Sequence, residues 1–190
     1  MKKIFSIIAL ATAVSLFCSC GKDDDDDNID LGDYQKWRDQ NDAWVQELQS
    51  KRNPDGTPYY TTVIPAWNPS IYVLMHWFND RAETADNLVP LYTSVVDVRY
   101  VGLTCEGDTF DSSIATNLYG KPGIQRFACN QTIQGWSVAM EQMHVGDTCE
   151  VIVPYEAGYG TQASSVLKPY SSLQFNLRLE DIYKYEASQY

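Results

Sequence analysis

Polar and apolar residues alternate with a helical period near the start of the chain. Apolar and aromatic side chains recur at helical spacing over residues 31–52, while Asp, Lys, Gln and Glu fill the opposite face. This pattern predicts an amphipathic helix that ends at the turn residues Asn53-Pro54-Asp55-Gly56. We expect its aromatic stripe to pack against the next segment of the chain, with a partner-binding face as the alternative. The stripe consists of Leu31, Tyr34, Trp37, Trp44, Val45 and Leu48.

Two strand patterns follow this helix. Tyr59 to Trp67 and Ile71 to Asn79 are rich in β-branched and aromatic residues, which favour strands, and Asn68-Pro69 separates them. The polar stretch from Asp80 to Asn87 predicts a loop. We expect both strands to join the sheet formed by the rest of the chain.

From residue 91 onward, strand patterns alternate with turns led by glycine. Val96, Val98 and Tyr100 fall on one face of a strand that Gly102 interrupts. The other predicted elements are a turn at residues 106–108, a helical stretch over Ser137 to Met143, a turn at Gly146, and strands within residues 143–154 and 172–182. Strands with one short helix predict an α+β fold with an antiparallel sheet.

A set of aromatic and aliphatic residues in this region has few partners that could do acid–base chemistry. Its members are Tyr100, Phe110, Phe127, Ile133, Trp136, Tyr159, Leu167 and Phe175, with Asp111 directly beside them. Any one of these aromatic residues, taken alone, is typical of a core position. Tyr159 and Asp111 favour a site, because both have polar ends and stand among glycine or serine in segments predicted as loops. The set suits a reaction that needs no proton transfer.

Charge and reactive residues exclude several classes of function. The formal net charge of −11 argues against a nucleic-acid partner, since phosphate binding needs a basic face. The two histidines, His76 and His144, stand apart from Ser112 in the predicted layout, which argues against a Ser-His-Asp hydrolase. No metal or cofactor is expected. The three cysteines outside the N-terminal segment, Cys105, Cys129 and Cys149, have no close Cys-x-x-Cys spacing, and they allow at most one disulfide.

The N-terminus has the pattern of an export signal. Lys2 and Lys3 precede an apolar run over residues 4–17. This run has the length of a signal-peptide core and is too short to span a bilayer, which takes about 20 helical residues. We therefore predict an exported protein.

The residues after this run resemble a bacterial lipoprotein signal. In that signal a small residue precedes the cysteine that becomes the lipidated N-terminus, and Ser19 precedes Cys20 in this way. Cys20 fits better than Cys18, which follows the bulky Phe17. The resemblance predicts a signal over residues 1–19 and a membrane anchor through lipid on Cys20. An ordinary secretory signal that is cut nearby is the alternative.

Five aspartates at residues 23–27 follow Lys22. Like charges keep a segment extended and solvated, so residues 20–30 are predicted to form a flexible acidic tether. The run also resembles the acidic tag that sends some outer-membrane lipoproteins to the cell surface. The domain is therefore expected at the outer membrane, facing either the periplasm or the cell surface.

Six short motifs occur in order along residues 100–175: Tyr-x-Gly at residues 100–102, Phe-Asp-Ser-Ser at 110–113, Ile-x-Gly-Trp at 133–136, Met-x-x-Gly-Asp at 143–147, Pro154 with Gly-Tyr-Gly at 158–160, and Leu-x-Phe at 173–175. Each motif alone is weak, but the ordered set is specific. Through this set, the segment from about Val98 to Ile182 resembles an FKBP-type peptidyl-prolyl isomerase domain. The resemblance implies a half-wrapped antiparallel sheet around a short helix, within a domain over residues 57–190 that follows the helix and turn of residues 31–56.

The resemblance also implies a role for each site residue. Asp111, Tyr159, Tyr100 and Phe110 would be catalytic: Asp111 near the carbonyl side of the twisted bond, and Tyr159 as a donor to a substrate carbonyl. Trp136 would form the floor under the proline ring. The other predicted substrate-binding residues are Phe127, Thr132, Ile133, Leu167 and Phe175, with Leu167 covering one edge and the Ile133 N–H binding the ligand after the proline.

Two functions follow from the resemblance. The first is a prolyl isomerase that acts on proline-containing polypeptides outside the cytoplasm, with macrolides as inhibitors. The second is a binding or chaperone module that holds such polypeptides with little turnover. The pocket rim departs from the usual pattern at Thr132, Glu156, Ala157 and Lys168. We expect activity to be retained, at a level that these rim residues could reduce.

Overall fold

A computed structural model describes residues 31–186 of the chain. The predicted export signal, lipidated Cys20 and acidic tether lie outside the described residues. Helix α1 spans Leu31–Ser50, and helix α2 spans Gln134–Met140. The strands are β1 Thr61–Val63, β2 Val73–Trp77, β3 Val95–Thr104, β4 Thr109–Ser112, β5 Asn117–Leu118, β6 Lys121–Pro122, β7 Gln125–Ala128, β8 Thr148–Val153 and β9 Leu173–Lys184.

The main sheet is antiparallel throughout, which confirms the predicted α+β fold. Its strand order is β1-β2-β8-β9-β3-β4, and β7 pairs with the start of β3 on the edge where β4 pairs with its end. The long strands β3 and β9 pair along their whole length. β1 and β2 extend this sheet through β8, as predicted, although they are shorter than the sequence pattern indicated. β5 and β6 form a separate hairpin.

Helix α2 packs on one face of the sheet and closes the main core. Successive side chains of a strand lie on opposite faces, so alternate residues of β9 enter this core while those between them meet solvent. The buried members from β9 are Leu173, Phe175, Leu177 and Leu179. Trp136, Val138, Ala139 and Met140 of α2 complete the core from the other side. This packing leaves α2 almost entirely buried.

The predicted bounds of α2 were wrong at both ends. The sequence indicated residues 137–143, whereas the helix begins at Gln134 and ends at Met140. Gly135 lies in the first turn of the helix, where an added Cβ would sit 2.5 Å from Val153 Cγ1. Glycine therefore allows the helix to approach the sheet closely at this point.

Helix α1 packs on the opposite face of the sheet. Val45 of α1 contacts a second buried cluster formed by Tyr60, Leu74 and Ile152. Leu74 and Ile152 are the residues of β2 and β8 that alternate with those facing α2, so both strands are buried on both faces. The part of the predicted stripe that this cluster includes thus packs against its own chain, over the sheet as well as the next segment. α1 ends two residues before the predicted Arg52.

Buried polar contacts fix α1 in place. The Asn41 side chain is fully buried, donates to Trp37 O at 2.8 Å and accepts from the Ser172 N–H at 2.8 Å. Trp37 Nε1 donates to Ser171 Oγ at 3.2 Å. These contacts join α1 to the segment that leads into β9.

Among the described residues, no helix has both the length and the apolar character needed to cross a membrane.

Asp147 anchors the loop between β2 and β3 to the turn before β8. Its buried carboxylate accepts from the His144 N–H at 2.8 Å, from Asn79 Nδ2 at 3.0 Å and from Thr84 Oγ1, and it lies 3.3 Å from Arg81 Nε. Burial alone would raise the pKa of Asp147, but these hydrogen bonds and the charge of Arg81 lower it. The anionic form is therefore the one that the fold stabilises.

Replacing Asp147 with Asn should lower the free energy of unfolding by about 3 kcal/mol at about pH 7, because Arg81 loses its buried partner. A carboxyl group with a lowered folded pKa stabilises above its unfolded pKa and loses this contribution as the pH falls through the folded pKa. The difference in the free energy of unfolding between wild type and Asp147→Asn should therefore narrow below about pH 4. Urea unfolding followed by circular dichroism measures this difference, with Asp86→Asn, at an exposed residue, as control. A gap that stays constant with pH would contradict this assignment.

Candidate functional site

A cavity of about 410 Å³ opens between the start of α2, the sheet and the loop after β8. Its lining residues are Tyr100, Asp111, Phe127, Gln131, Thr132, Ile133, Trp136, Gly158, Tyr159, Gln162 and Phe175. Among these described lining residues Asp111 is the single acid, and none is His, Lys or Cys. The cavity is therefore a largely apolar site with few polar groups, as is typical of small-ligand sites.

Three aromatic rings surround Trp136 edge-on. The centroid of the Trp136 ring lies 4.9 Å from that of Tyr100, 5.4 Å from that of Phe127 and 5.1 Å from that of Phe175. The interplanar angles of 81° to 85° match the edge-to-face arrangement that aromatic quadrupoles favour. Trp136 is 4% exposed and forms the cavity floor. Its Nε1–H is buried without a hydrogen-bond partner among the described residues.

Asp111 is held in place from two directions. The Tyr100 hydroxyl donates to Asp111 Oδ2 at 2.8 Å, and the Ser112 N–H donates to Oδ1 at 2.8 Å. Burial raises the pKa of Tyr100, and the hydrogen bond to Asp111 raises it further. Tyr100 is therefore a neutral phenol that keeps Asp111 oriented at the edge of the cavity.

Tyr159 lines the same cavity from the loop after β8. Its side chain is 43% exposed, and its two glycine neighbours form a tight turn in which the Gly160 N–H donates to Tyr155 O at 2.9 Å. Burial raises the pKa of Tyr159, with a smaller contribution from the negative charge of Asp111. The Tyr159 hydroxyl thus keeps its proton at neutral pH and can act as a hydrogen-bond donor.

The backbone N–H of Ile133 is a second donor at the cavity. Ile133 directly precedes α2, and the first N–H groups of a helix have no partner within it. Among the hydrogen bonds of the described residues, none has this N–H as donor. The cavity therefore combines an apolar floor with donors at Ile133 and Tyr159 that are available to a ligand.

Most of the predicted site residues meet in this cavity. Those that line it are Tyr100, Asp111, Phe127, Thr132, Ile133, Trp136, Tyr159 and Phe175. Phe110 and Leu167 line a neighbouring cavity instead. Because neighbouring residues of a strand direct their side chains to opposite sides, β4 supplies Asp111 to one cavity and Phe110 to the next. Phe110 still supports the wall, with its ring centroid 5.7 Å from that of Phe175.

Sequence reasoning missed three lining residues, Gln131, Gly158 and Gln162. Gly158 could have been found, since it stands beside Tyr159 in a motif already identified. Gln131 belongs to the short 3-10 helix Cys129–Gln131 just before α2, and Gln162 lies in an irregular loop. Neither glutamine has a sequence signal that sets it apart from an ordinary surface residue.

Comparison with a protein-family model matches residues 90–180 to the FKBP-type peptidyl-prolyl cis-trans isomerase family. The "Macrophage infectivity potentiator" of Trypanosoma cruzi is 33% identical over 106 residues, which are 55% of this chain and 52% of that protein. The "FKBP-type 22 kDa peptidyl-prolyl cis-trans isomerase" of Escherichia coli is 36% identical over 98 residues, 51% of this chain and 45% of its own. The "Outer membrane protein MIP" of Legionella longbeachae is 34% identical over 96 residues, 50% and 39% respectively. The matched region thus spans about half or less of these relatives.

Solved structures share the fold. A peptidyl-prolyl cis-trans isomerase from Pseudomonas syringae pv. tomato superposes with a TM-score of 0.61 at 21% identity and covers 78% of this chain and 94% of its own. FkpA from Escherichia coli superposes with a TM-score of 0.61 at 19% identity and covers 80% of this chain and 64% of its own. At these identities the likeness establishes the fold, and the site residues have to carry the chemistry.

Replacing Gly102 with Ala should disturb the cavity wall, because the new Cβ would lie 2.8 Å from the Phe110 ring and 2.9 Å from the Phe175 ring. We expect a loss of about 1–3 kcal/mol in the free energy of unfolding. Adding Phe110→Leu removes the nearest ring atoms, so the double variant should lose less than the sum of the two single variants. Urea unfolding of all three variants gives the coupling. Simple additivity would show that the Phe110 ring does not confine Gly102.

Proposed function

We propose that this chain, whose residues 90–180 form an FKBP-type domain, catalyses the cis–trans isomerisation of X–Pro peptide bonds in exported polypeptides. The observation that carries the proposal is the cavity itself. Trp136 forms an apolar floor within three aromatic walls, and Tyr159 and Ile133 offer donors at its rim. A proline ring is apolar and its backbone carbonyls need donors, so the two match.

The chemistry needs no base, nucleophile or metal. The barrier to rotation about a peptide bond is about 18–20 kcal/mol, because amide resonance is lost in the twisted state. An acceleration of about 10⁵-fold corresponds to about 7 kcal/mol of selective stabilisation. A twisted amide has less charge separation than a planar one. An apolar cavity therefore disfavours the ground state more than the transition state.

The polar groups would hold the substrate while one side of the bond turns. Tyr159 O–H and Ile133 N–H would bind carbonyls of the substrate, which fixes the proline ring over Trp136. Asp111, oriented by Tyr100, would face the carbonyl of the residue before proline, where charge changes during rotation. Phe127, Thr132 and Phe175 would confine the ring, and Phe110 would support Phe175 from the neighbouring cavity.

The unusual rim residues are compatible with turnover. Thr132 Oγ1 donates to Cys129 O at 2.9 Å, so this hydroxyl is satisfied within the protein. Ala157 is buried, and Glu156 lines a separate cavity against α1. Lys168 lies over the Trp37 ring and does not line the cavity around Trp136, which we call the proline cavity. Thr132 lines the cavity and the other three residues do not, so the rim leaves room for a proline ring over Trp136.

The variants Tyr159→Phe and Asp111→Ala test this function. Each should lower kcat/KM for short X–Pro peptides by about 3- to 10-fold, because each removes one hydrogen-bonding group at the cavity. A protease-coupled isomerisation assay measures the rate, and circular dichroism checks the fold. The highly exposed Tyr119→Phe serves as the matched control and should keep full activity. If wild-type protein binds these peptides but leaves their isomerisation rate unchanged, the chain is a binding module instead.

We further propose that the domain is anchored to the outer membrane through lipid on Cys20, facing the periplasm or the cell surface. The small residue before Cys20 and the acidic run after it support this placement, and one relative is named as an outer membrane protein. Macrolides that fill a proline pocket would then act as inhibitors at this site.

Labelling with a radioactive fatty acid should mark the wild-type protein in a lipoprotein-producing bacterial host. Cys20→Ala should abolish the label and release the protein from membranes, because acyl chains supply the membrane affinity. Cys18→Ala is the matched control and should be labelled as wild type. Equal labelling of wild type and Cys20→Ala would exclude Cys20 as the lipidated residue.

A further inference from the structure

A second cavity, of about 300 Å³, lies beside the proline cavity and is completed by helix α1. Trp37 of α1, Phe110 of β4 and Leu167 of the loop after β8 form its apolar walls. Glu106, Asp108 and Lys168 supply charged groups at the same cavity. The motifs of the FKBP-type domain do not include Trp37, because α1 precedes the matched residues.

The two cavities are separate, but the same two parts of the chain contribute residues to both. β4 contributes Asp111 to the proline cavity and Phe110 to the second one. The loop after β8 contributes Tyr159 to the first and Leu167 to the second. Their shared wall is the edge-to-face pair Phe110 and Phe175, with ring centroids 5.7 Å apart. A polypeptide bound in the proline cavity therefore has its neighbouring residues close to the second cavity.

The chemistry of the second cavity suits a long side chain with a positive end. Lys and Arg bury an apolar stem while their charged end stays near water. The cavity offers an apolar lining for such a stem and two carboxylates, Glu106 and Asp108, for its charge. The Trp37 ring already accommodates a cation, since Lys168 Nζ lies 4.3 Å from its centroid.

Contacts from α1 prepare this cavity. Gln40 Nε2 lies 3.4 Å from Glu106 Oε1, within hydrogen-bonding distance. The Glu106 N–H donates to Thr104 Oγ1 at 3.3 Å, which orders the turn between β3 and β4. Trp37 is fixed by its hydrogen bond to Ser171. The carboxylate and the aromatic wall are thus both positioned before a ligand arrives.

We propose that the second cavity binds the side chain of a Lys or Arg residue that precedes proline in the substrate. This inference rests on the proposed isomerase function and adds a substrate preference to it. In the proposed binding mode, the Ile133 N–H binds the part of the substrate that follows the proline. The side of the cavity nearest Asp111 and Phe110 therefore receives the chain that precedes it. The net charge of −11 also favours the approach of basic polypeptides.

The test compares peptides that differ at the residue before proline, with Lys against its neutral isostere norleucine. The measured quantity is the ratio of kcat/KM for the Lys peptide to that for the norleucine peptide, and we expect a ratio above one for wild type. Glu106→Gln combined with Asp108→Asn should lower the ratio by about threefold, as expected for the loss of exposed ion pairs. The control Glu83→Gln with Asp86→Asn removes the same charge from an exposed loop and should leave the ratio unchanged.

A variant that should raise the ratio, rather than lower it, distinguishes ligand binding from a general loss of structure. Lys168→Met removes the cation that competes for the Trp37 ring, so it should raise the same ratio by about twofold. A purely structural role would move the ratio in neither direction. Trp37→Leu keeps an apolar wall but removes the aromatic face, and it should lower the ratio. An unchanged ratio in Trp37→Leu would overturn the part assigned to α1.

The two proposals fail in different ways. If wild type isomerises both peptides equally, the basic-residue preference is wrong while the isomerase function stands. If wild type isomerises neither peptide, the isomerase function is wrong. The dissociation constants of the same peptides, measured by fluorescence anisotropy across the same variants, then show whether the second cavity binds the basic side chain. Tighter binding of the Lys peptide that depends on Glu106 and Asp108 supports the proposal, and equal binding overturns it.

Discussion

The close contact between Gly135 and Val153 determines where the rest of the site can form. With no Cβ at Gly135, the first turn of α2 lies directly against β8, since an added Cβ would sit 2.5 Å from Val153 Cγ1. The next residue, Trp136, is thereby placed among Tyr100, Phe127 and Phe175, which meet it edge-on. Ile133, just before the helix, also lines the cavity, and its N–H donates to no acceptor among the described residues. A single backbone approach thus sets both the floor and one donor.

The cavity keeps polar groups that packing alone would not retain. Trp136 Nε1 is buried without a partner among the described residues, and a buried donor that lacks a partner costs about 1–3 kcal/mol. Asp111 is instead fixed by Tyr100 and by the Ser112 N–H. An oriented carboxylate beside unpaired donors would suit the proposed reaction, in which the charge distribution of a bound backbone changes as it twists. The geometry therefore favours positioning over proton transfer.

Much of the site could be predicted from the sequence, because the aromatic residues stand in ordered motifs and alternate along strands. Tyr100 and Phe175 follow this alternation directly, and both line the cavity. The alternation within β4 also explains why Phe110, which shares a motif with Asp111, lines the neighbouring cavity. The start of α2 at Gln134 could not be predicted from the local pattern, because glycine disfavours a helix in isolation and the close packing of Gly135 on β8 exists only in the folded chain. The part played by Trp37 depends on tertiary contacts that no local pattern encodes.

Helix α1 is better understood as part of the domain than as a spacer before it. Its buried Asn41 accepts the Ser172 N–H, and its Arg38 lies 5.2 Å from the centroid of the Tyr170 ring. Tyr170 has a left-handed backbone with φ of 60°, which costs free energy in a residue other than glycine and persists only where surrounding contacts hold it. The Tyr170 N–H donates to Gly160 O at 2.9 Å, next to Tyr159. Contacts from α1 therefore reach the loop that carries Tyr159, and the helix that completes the second cavity also supports a wall of the first.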